Sequence, residues 1–241
     1  MDAFPWLARL GLFLLPLRCL LCGAPGHDGV ELCAGCAASF TPNTYRCRRC
    51  ALPLARTAEL CVSCLKTDRP WHEVWVPYRY AWPLDLLETR FKFGGDLVAG
   101  KVLAHRWIAA GAPPALPEAI VPVPLHVARL RERGFNQSLE LARPLARHLG
   151  VPLRPALLER VHSTEAQSEL DAEARARNVR EAFVVRVPAG VNHVAVVDDV
   201  MTTGATLEAC ALALLKVGVA RVDVWALART PKPTFKDSKT L

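Results

Sequence analysis

The chain has 241 residues, 51% hydrophobic and 22% charged, the composition of an ordinary globular protein with room for one large or two unequal domains, which excludes a chain without a core. A formal charge of +7 fits a partner bearing phosphate, small ligand or nucleic acid, and does not choose between them.

The first element is the apolar stretch from Phe4 to Leu17. Arg9 and Arg18 bracket it, Pro16 interrupts it, its apolar part is too short to span a bilayer, and no small-residue cleavage site precedes the cysteines. It is expected to be an amphipathic helix packed on the rest of a cytoplasmic protein, with no membrane insertion. Four Cys-x-x-Cys pairs follow, Cys19/Cys22, Cys33/Cys36, Cys47/Cys50 and Cys61/Cys64, each separated from the next by ten residues. Each pair points two thiolates at one metal, so two pairs complete a tetrahedral Cys₄ site and structural zinc is expected, one ion or two. A disulfide scaffold would need an oxidising compartment, and a redox dithiol would present one pair, not four in series. Spacing favours sequential pairing but leaves an interleaved cross-brace open. Residues 1–68 are thus expected to form a Cys-rich module whose folding is coupled to zinc. Arg46, Arg48 and Arg49 beside the third pair suit either a solvated loop or nucleic-acid phosphates.

Residues 69–85, with Trp71, Trp75, Tyr78, Tyr80 and Trp82, are expected to be an aromatic, Pro-containing linker between modules. Helical patterning runs from Leu84 through Leu97 to Ala110, interrupted at Gly94-Gly95. A short apolar strand follows over 119–123, then a basic loop leading into a helix from about Asn136 to Leu149. Arg131, Arg133, Asn136 and Gln137 lie in that stretch, and their planar forks and amides suit pyrophosphate or a nucleic-acid strand. The polar run from Arg160 to Val179 reads equally as a mobile cover or as an exposed helix laced with Glu–Arg pairs. Neither His126 nor His162 is assigned a catalytic role. Strands are expected over 183–186, 193–197 and 222–228, and a helix ends before Gly218 with Cys210 as a small buried hydrophobe. Apolar strands alternating with helices indicate a parallel sheet covered on both faces, within a domain spanning 86–230, and 231–241 reads as a flexible tail.

The most informative run joins the last two strands. The strand Val194 to Val197 delivers Asp198 and Asp199 into a loop, Thr202, Thr203, Gly204, Ala205 and Thr206, that opens a helix. Hydroxyls and successive N–H groups at a helix N-terminus cradle a phosphate, and two carboxylates accept from a ribose diol. An ordinary strand-turn-helix junction capped by Thr206 would need one hydroxyl and not three. The loop has neither the Gly-Lys-Ser/Thr ending of a P-loop nor a dinucleotide fingerprint.

This Asp-Asp-x-x-Thr-Thr-Gly-x-Thr run resembles the signature loop of type I phosphoribosyltransferases, which bind phosphoribosyl pyrophosphate (PRPP) with magnesium. The order of segments is similar to the competence protein ComF family over about Cys19 to Arg229. The shared segments are the knuckles, Arg90-Phe91-Lys92-Phe93-Gly94-Gly95, Val121 to Leu125, Arg133 to Gln137, Gln167 with Arg177-Asn178-Val179, and the Asp-Asp loop. The resemblance implies an α/β fold with a type I phosphoribosyltransferase-like parallel sheet flanked by helices, preceded by a small double zinc-ribbon module. It also implies a role in DNA uptake during natural transformation, for which single-stranded DNA binding is the implied activity; recruitment of a competence helicase or uptake-machinery protein by the zinc module is a separate reading. As an enzyme, the chain would use Asp198 and Asp199 at the ribose, Thr202 to Thr206 at the 5′-phosphate, and Arg131 or Arg133 at the leaving pyrophosphate. The alternative is a non-catalytic DNA-binding or partner-docking protein that takes PRPP or a nucleotide as regulator.

Overall fold

A computed structural model describes residues 17–55, 58–161, 182–186 and 190–231. The expected N-terminal amphipathic helix, the polar run from residue 162 to 181 with His162 and Gln167, and most of the tail lie outside the described residues. The sheet is built from β1 (Val74–Trp75), β2 (Tyr78–Arg79), β3 (Ala119–Pro122), β6 (His193–Met201) and β7 (Arg221–Arg229). All pairings are parallel: β3 with β6, β6 with β7, and both β1 and β2 with the outer side of β7. Two further strands, β4 (Leu158–Arg160) and β5 (Phe183–Val185), form a separate antiparallel ribbon, so the strand expected over 183–186 exists but stands outside the parallel sheet.

The central strands are apolar on both faces because both faces are covered. Val194, Val196, Val222, Val224 and Ala226 pack on one side, against Leu207, Cys210, Ala211 and Leu214 of α7 (Ala205–Lys216). Ala195, Val197, Trp225 and Leu227 pack on the other. There they meet α3 (Leu84–Gly94), α4 (Leu97–Ala109) and α6 (Gln137–Leu149). In α6 the buried positions Gln137, Ser138, Leu141, Ala142, Leu145 and Ala146 repeat at helical spacing. The break between α3 and α4 has a local cause. Gly95 ends α3 at φ 65°, and the Asp96 side chain accepts from the N–H groups of Val98 and Ala99 to start α4. The chain crosses itself closely here, since a Cβ on Gly100 would stand 2.5 Å from the Phe91 ring.

The basic segment after β3 is not a plain loop. It forms α5 (Val127–Arg133), capped by His126 Nδ1 accepting from Ala128 N (3.3 Å) and closed by Gly134 at φ 81°. Nor is the aromatic stretch 69–85 only a connection. It contributes β1 and β2, and Trp75 stacks in the core with Trp225 (5.4 Å, edge-on) and Trp107 (5.7 Å). Residues 41–43 extend this edge: Asn43 N donates to Pro77 O, and Arg79 N donates to Thr41 O.

The cysteine-rich part carries two short helices, α1 (Ala34–Ala38) and α2 (Val62–Lys66), one in each half. The halves divide between the faces of the sheet. Cys19, Val30, Leu32 and Phe40 join the core on the side of α3, α4 and α6, whereas Cys47, Cys50, Cys61 and Cys64 join the core on the α7 side. Among the described residues no helix is long and apolar enough to cross a membrane.

Candidate functional site

The cysteines meet in sequential fours. Cys19, Cys22, Cys33 and Cys36 bring their sulfurs within 4.8 Å of one another, and so do Cys47, Cys50, Cys61 and Cys64. The separations Cys22–Cys33 (3.6 Å), Cys22–Cys36 (3.7 Å) and Cys50–Cys61 (3.6 Å) are close to the edge of a ZnS₄ tetrahedron, about 3.8 Å for Zn–S bonds of ~2.3 Å. They are far longer than a disulfide's ~2.05 Å. Each four therefore fits one zinc ion, and the interleaved cross-brace is excluded. Thiol acidity is uneven: burial opposes ionisation of Cys61, but N–H donation from Cys64 and neighbouring thiols bring it down to about 7, while burial pushes Cys50 up. A bound cation would allow all four to ionise together. The arginines near the third pair are engaged locally. Arg46 donates to Asn43 O (2.6 Å), Arg49 donates to Cys64 O (3.2 Å) and pairs with Asp68, and Arg48 faces Glu59 (3.6 Å).

The second candidate centre lies beyond the carboxyl ends of β3, β6 and β7, where ligands of parallel sheets bind. The strand β6 runs to Met201, so Asp198 and Asp199 are residues of the strand, near its carboxyl end, and not part of a loop after it. Asp198 Oδ1 accepts from Ser138 Oγ (2.8 Å) at the buried start of α6 and from Asp199 N (3.0 Å). Asp199, 3% exposed, accepts from Lys92 Nζ of α3 (3.0 Å) and from Val200 N (2.8 Å). Lys92 also faces Glu88, one turn earlier on α3 (3.5 Å).

This buried cluster sets its protons unequally. Asp198 is pushed well above the usual carboxylate range, first by burial and then by the charge of Asp199. Burial works against Asp199 as well, but the Lys92 ammonium outweighs it and holds the carboxyl below its ordinary value. Glu88 is raised to about 7, chiefly by burial and then by its hydrogen bond with Asp199 and the charge there. Within this cluster Asp199 is held towards its ionised form, while Asp198 and Glu88 are pushed towards their protonated forms, Glu88 to about 7.

A cavity of about 540 Å³ joins these groups to Arg129, Arg133, Gln137, Arg160, Thr202, Thr206, Tyr80 and Phe93. Of the residues expected from sequence, Asp198, Asp199, Arg133, Gln137, Thr202 and Thr206 line it together. Thr203 and Ala205 are exposed on the loop, and Thr203 Oγ1 accepts from Ala205 N (3.3 Å). The helix cap is Gly204 at φ 86°, not Thr206; a Cβ there would meet the Met201 side chain at 2.7 Å. Arg131 is exposed and does not line the cavity. Asn136 is used structurally: Oδ1 accepts from Ser138 N and Leu139 N, and Nδ2 donates to Val123 O (3.0 Å). Arg133 spans the rim, donating to Gln137 Oε1 (2.5 Å) with its guanidinium over the Phe93 ring (5.9 Å). Sequence reasoning missed Ser138, Glu88 as a site residue, the role of Lys92, and Arg229. The Glu88/Lys92 spacing of four on a helix was a signal available in the sequence.

Ser138 carries a direct prediction. Its hydroxyl is fully buried and donates to a buried carboxyl, so Ser138→Ala is expected to cost about 1–3 kcal/mol in urea unfolding at neutral pH. A midpoint equal to that of wild type would show that Asp198 is held without it.

A strand carrying two carboxylates near its end, a Thr/Gly loop at a helix N-terminus and a basic rim define a phosphoribosyltransferase-fold protein, here with a double zinc ribbon. Comparison with protein families agrees: residues 136–241 match the phosphoribosyl transferase domain, and residues 11–65 match the double zinc ribbon domain. Competence protein F of Haemophilus influenzae is 36% identical over 222 residues, covering 88% of this chain and 96% of that protein. The proteins named DNA utilization protein YhgH are similar at 36% in Salmonella typhi and 34% in Escherichia coli K12, each covering 91% of this chain and 100% of the relative. The chain belongs to this competence protein F/YhgH family. Among solved structures, a purine phosphoribosyltransferase from Pyrococcus horikoshii Ot3 aligns with 59% of this chain and 91% of its own at 16% identity, with a TM-score of 0.28.

Proposed function

We propose that the chain binds PRPP with a divalent cation in the cavity at the end of β6, as part of a competence-related role in the handling of DNA. The observation that carries this reading is convergence: Asp198, Asp199, Thr202, Thr206, Arg133 and Gln137, drawn from β6, the following loop, α7, α5 and α6, line one cavity. The carboxylates accept from the ribose hydroxyls, the loop and the first turn of α7 take the 5′-phosphate, and Arg133 faces the pyrophosphate. Asp198 and Asp199 would hold magnesium together with the ligand's oxygens, and the ion would supply charge neutralisation. In phosphoribosyl transfer the C1–O bond to pyrophosphate breaks, a bond from C1 to the acceptor forms, and the acceptor gives up its proton. Asp198 and Asp199 would then stabilise the positive charge developing on the ribose.

The test is calorimetric titration with PRPP, with and without magnesium, against a folded Asp198→Asn/Asp199→Asn variant. Magnesium-dependent binding is expected in wild type and its loss, by tenfold or more, in the variant. Undiminished binding by the variant would remove the carboxylates from the site.

A second reading is single-stranded DNA binding by the same face, favoured by the exposed Phe93 ring beside Arg133 at the cavity mouth and by the names of the relatives. The two separate by salt: strand binding through several phosphates weakens steeply with ionic strength, and PRPP binding follows magnesium.

A further inference from the structure

The second cysteine cluster and the Thr202–Thr206 loop are tied together by three side chains. Arg229, 5% exposed at the end of β7, donates from Nε to Cys50 O (3.0 Å) and from Nη1 to Met201 O (2.9 Å) and Thr202 O. Trp71 donates from Nε1 to Arg49 O (2.7 Å), and its ring lies 3.5 Å from the position a Cβ would take on Gly204. Arg69, beside the Cys64 sulfur, pairs with Glu208 in the first turn of α7 (2.8 Å). Knuckle residues 49, 50 and 64 thus bear on residues 201, 202, 204 and 208. The corresponding ties of the first cluster run elsewhere: Arg90 of α3 donates to Leu20 O (2.9 Å), and Lys101 of α4 faces Glu31 (3.5 Å).

A loop whose carbonyls are fixed in advance loses less freedom when it closes on an anion. Whatever orders the knuckle therefore adds to the loop's affinity, and reciprocity requires that an anion in the loop stabilise the knuckle by the same factor. We propose that the second four-cysteine site is the metal-dependent scaffold of the phosphate loop, with Arg229 as the positioning residue. Zinc bound there raises phosphate-ester affinity, and bound ligand retards zinc release. The ligand half of this inference rests on the proposed PRPP site; the scaffold half does not.

The experiment uses the full zinc-loaded chain and compares wild type with Arg229→Met and Trp71→Phe, zinc content being verified in each. Hydrogen exchange is read in peptides covering 201–208 and, as control, 97–109. Faster exchange is expected in the loop of both variants, more in Arg229→Met, with two zinc ions retained and the control unchanged. Zinc transfer to a chelator is then followed with and without PRPP and magnesium. In wild type the ligand is expected to slow one of two release phases by about tenfold, and in Arg229→Met this protection is lost. Should Arg229→Met not fold, Trp71→Phe decides, since it removes the Nε1–H bond to Arg49 O and the indole carbon beside Gly204 while an aromatic side chain still fills the position. Loop exchange equal to wild type in a folded, zinc-loaded variant overturns the proposal. If wild type fails to bind PRPP, the phosphoribosyl reading falls and the exchange result still decides the scaffold.

Discussion

Cys50→Ser is expected to cost about 4 kcal/mol, and Cys22→Ser no more than half of that, although both remove one ligand from a four-cysteine site. The difference lies in what surrounds each metal. Cys47, Cys50, Cys61 and Cys64 are 0–5% exposed and pack with Val194, Val196, Val224, Leu207 and Leu214 on the α7 face of the sheet. Losing zinc there leaves unligated thiols, and a buried Arg229 guanidinium deprived of the anionic metal–thiolate centre beside it, inside a core. Around the first cluster only Cys19 is buried, Cys22 is exposed, and water can solvate whatever the lost metal leaves behind. For a chain of this size 4 kcal/mol corresponds to roughly 10 °C in Tm. Thermal unfolding followed by circular dichroism, with zinc counted in each variant, measures it. Equal shifts for the two substitutions would show that the second cluster is a peripheral clip and not part of the core.

That asymmetry was hidden in the sequence, where the four pairs are evenly spaced and look equivalent. What could be read there was local. The Cys-x-x-Cys spacing and the Gly94-Gly95 break each carry their chemistry within a few residues, and the structure shows two four-cysteine clusters and a helix break there. What could not be read was brought together by the fold: Ser138 reaches Asp198 across 60 residues, Lys92 reaches Asp199 across 107, and Arg229 reaches Cys50 across 179. β1 and β2 have two residues each, too short to show a strand period, so an aromatic stretch read as a linker proved to hold the sheet edge. Asn136 illustrates a different limit. An amide in a basic segment reads as a ligand contact, but the same residue just ahead of an amphipathic run is a helix cap, and the local hydrogen bonds win.

Lys92 is where stability and function meet most directly. Its ammonium touches both Asp199 and Glu88, and Lys92→Met is expected to destabilise the protein by about 3–5 kcal/mol, because a buried carboxylate loses its counter-ion. The size of the effect depends on pH, and its sign follows from the direction of each shift. Glu88 is raised from 4.5 to about 7, so its contribution is fully present below 4.5 and is lost as pH rises through about 7, about 3 kcal/mol in all. Asp199 is lowered, so its contribution is present above its ordinary value and is lost only as pH falls through the depressed one. Without Lys92 the Asp199 contribution vanishes and both carboxyls favour their protons, so the variant is expected to lose more at pH 7.5 than at pH 5. Glu88→Gln/Lys92→Met should recover part of the loss at pH 7.5, since a neutral amide replaces the carboxylate that titrates in that window. Urea unfolding of the three proteins at the two pH values tests this, and a Lys92→Met deficit independent of pH would refute the pairing. PRPP binding adds a functional readout. A protonated Asp199 accepts less well from a ribose hydroxyl, so the variant's affinity should recover towards alkaline pH while its stability declines, opposite trends that a loss of folding alone cannot produce.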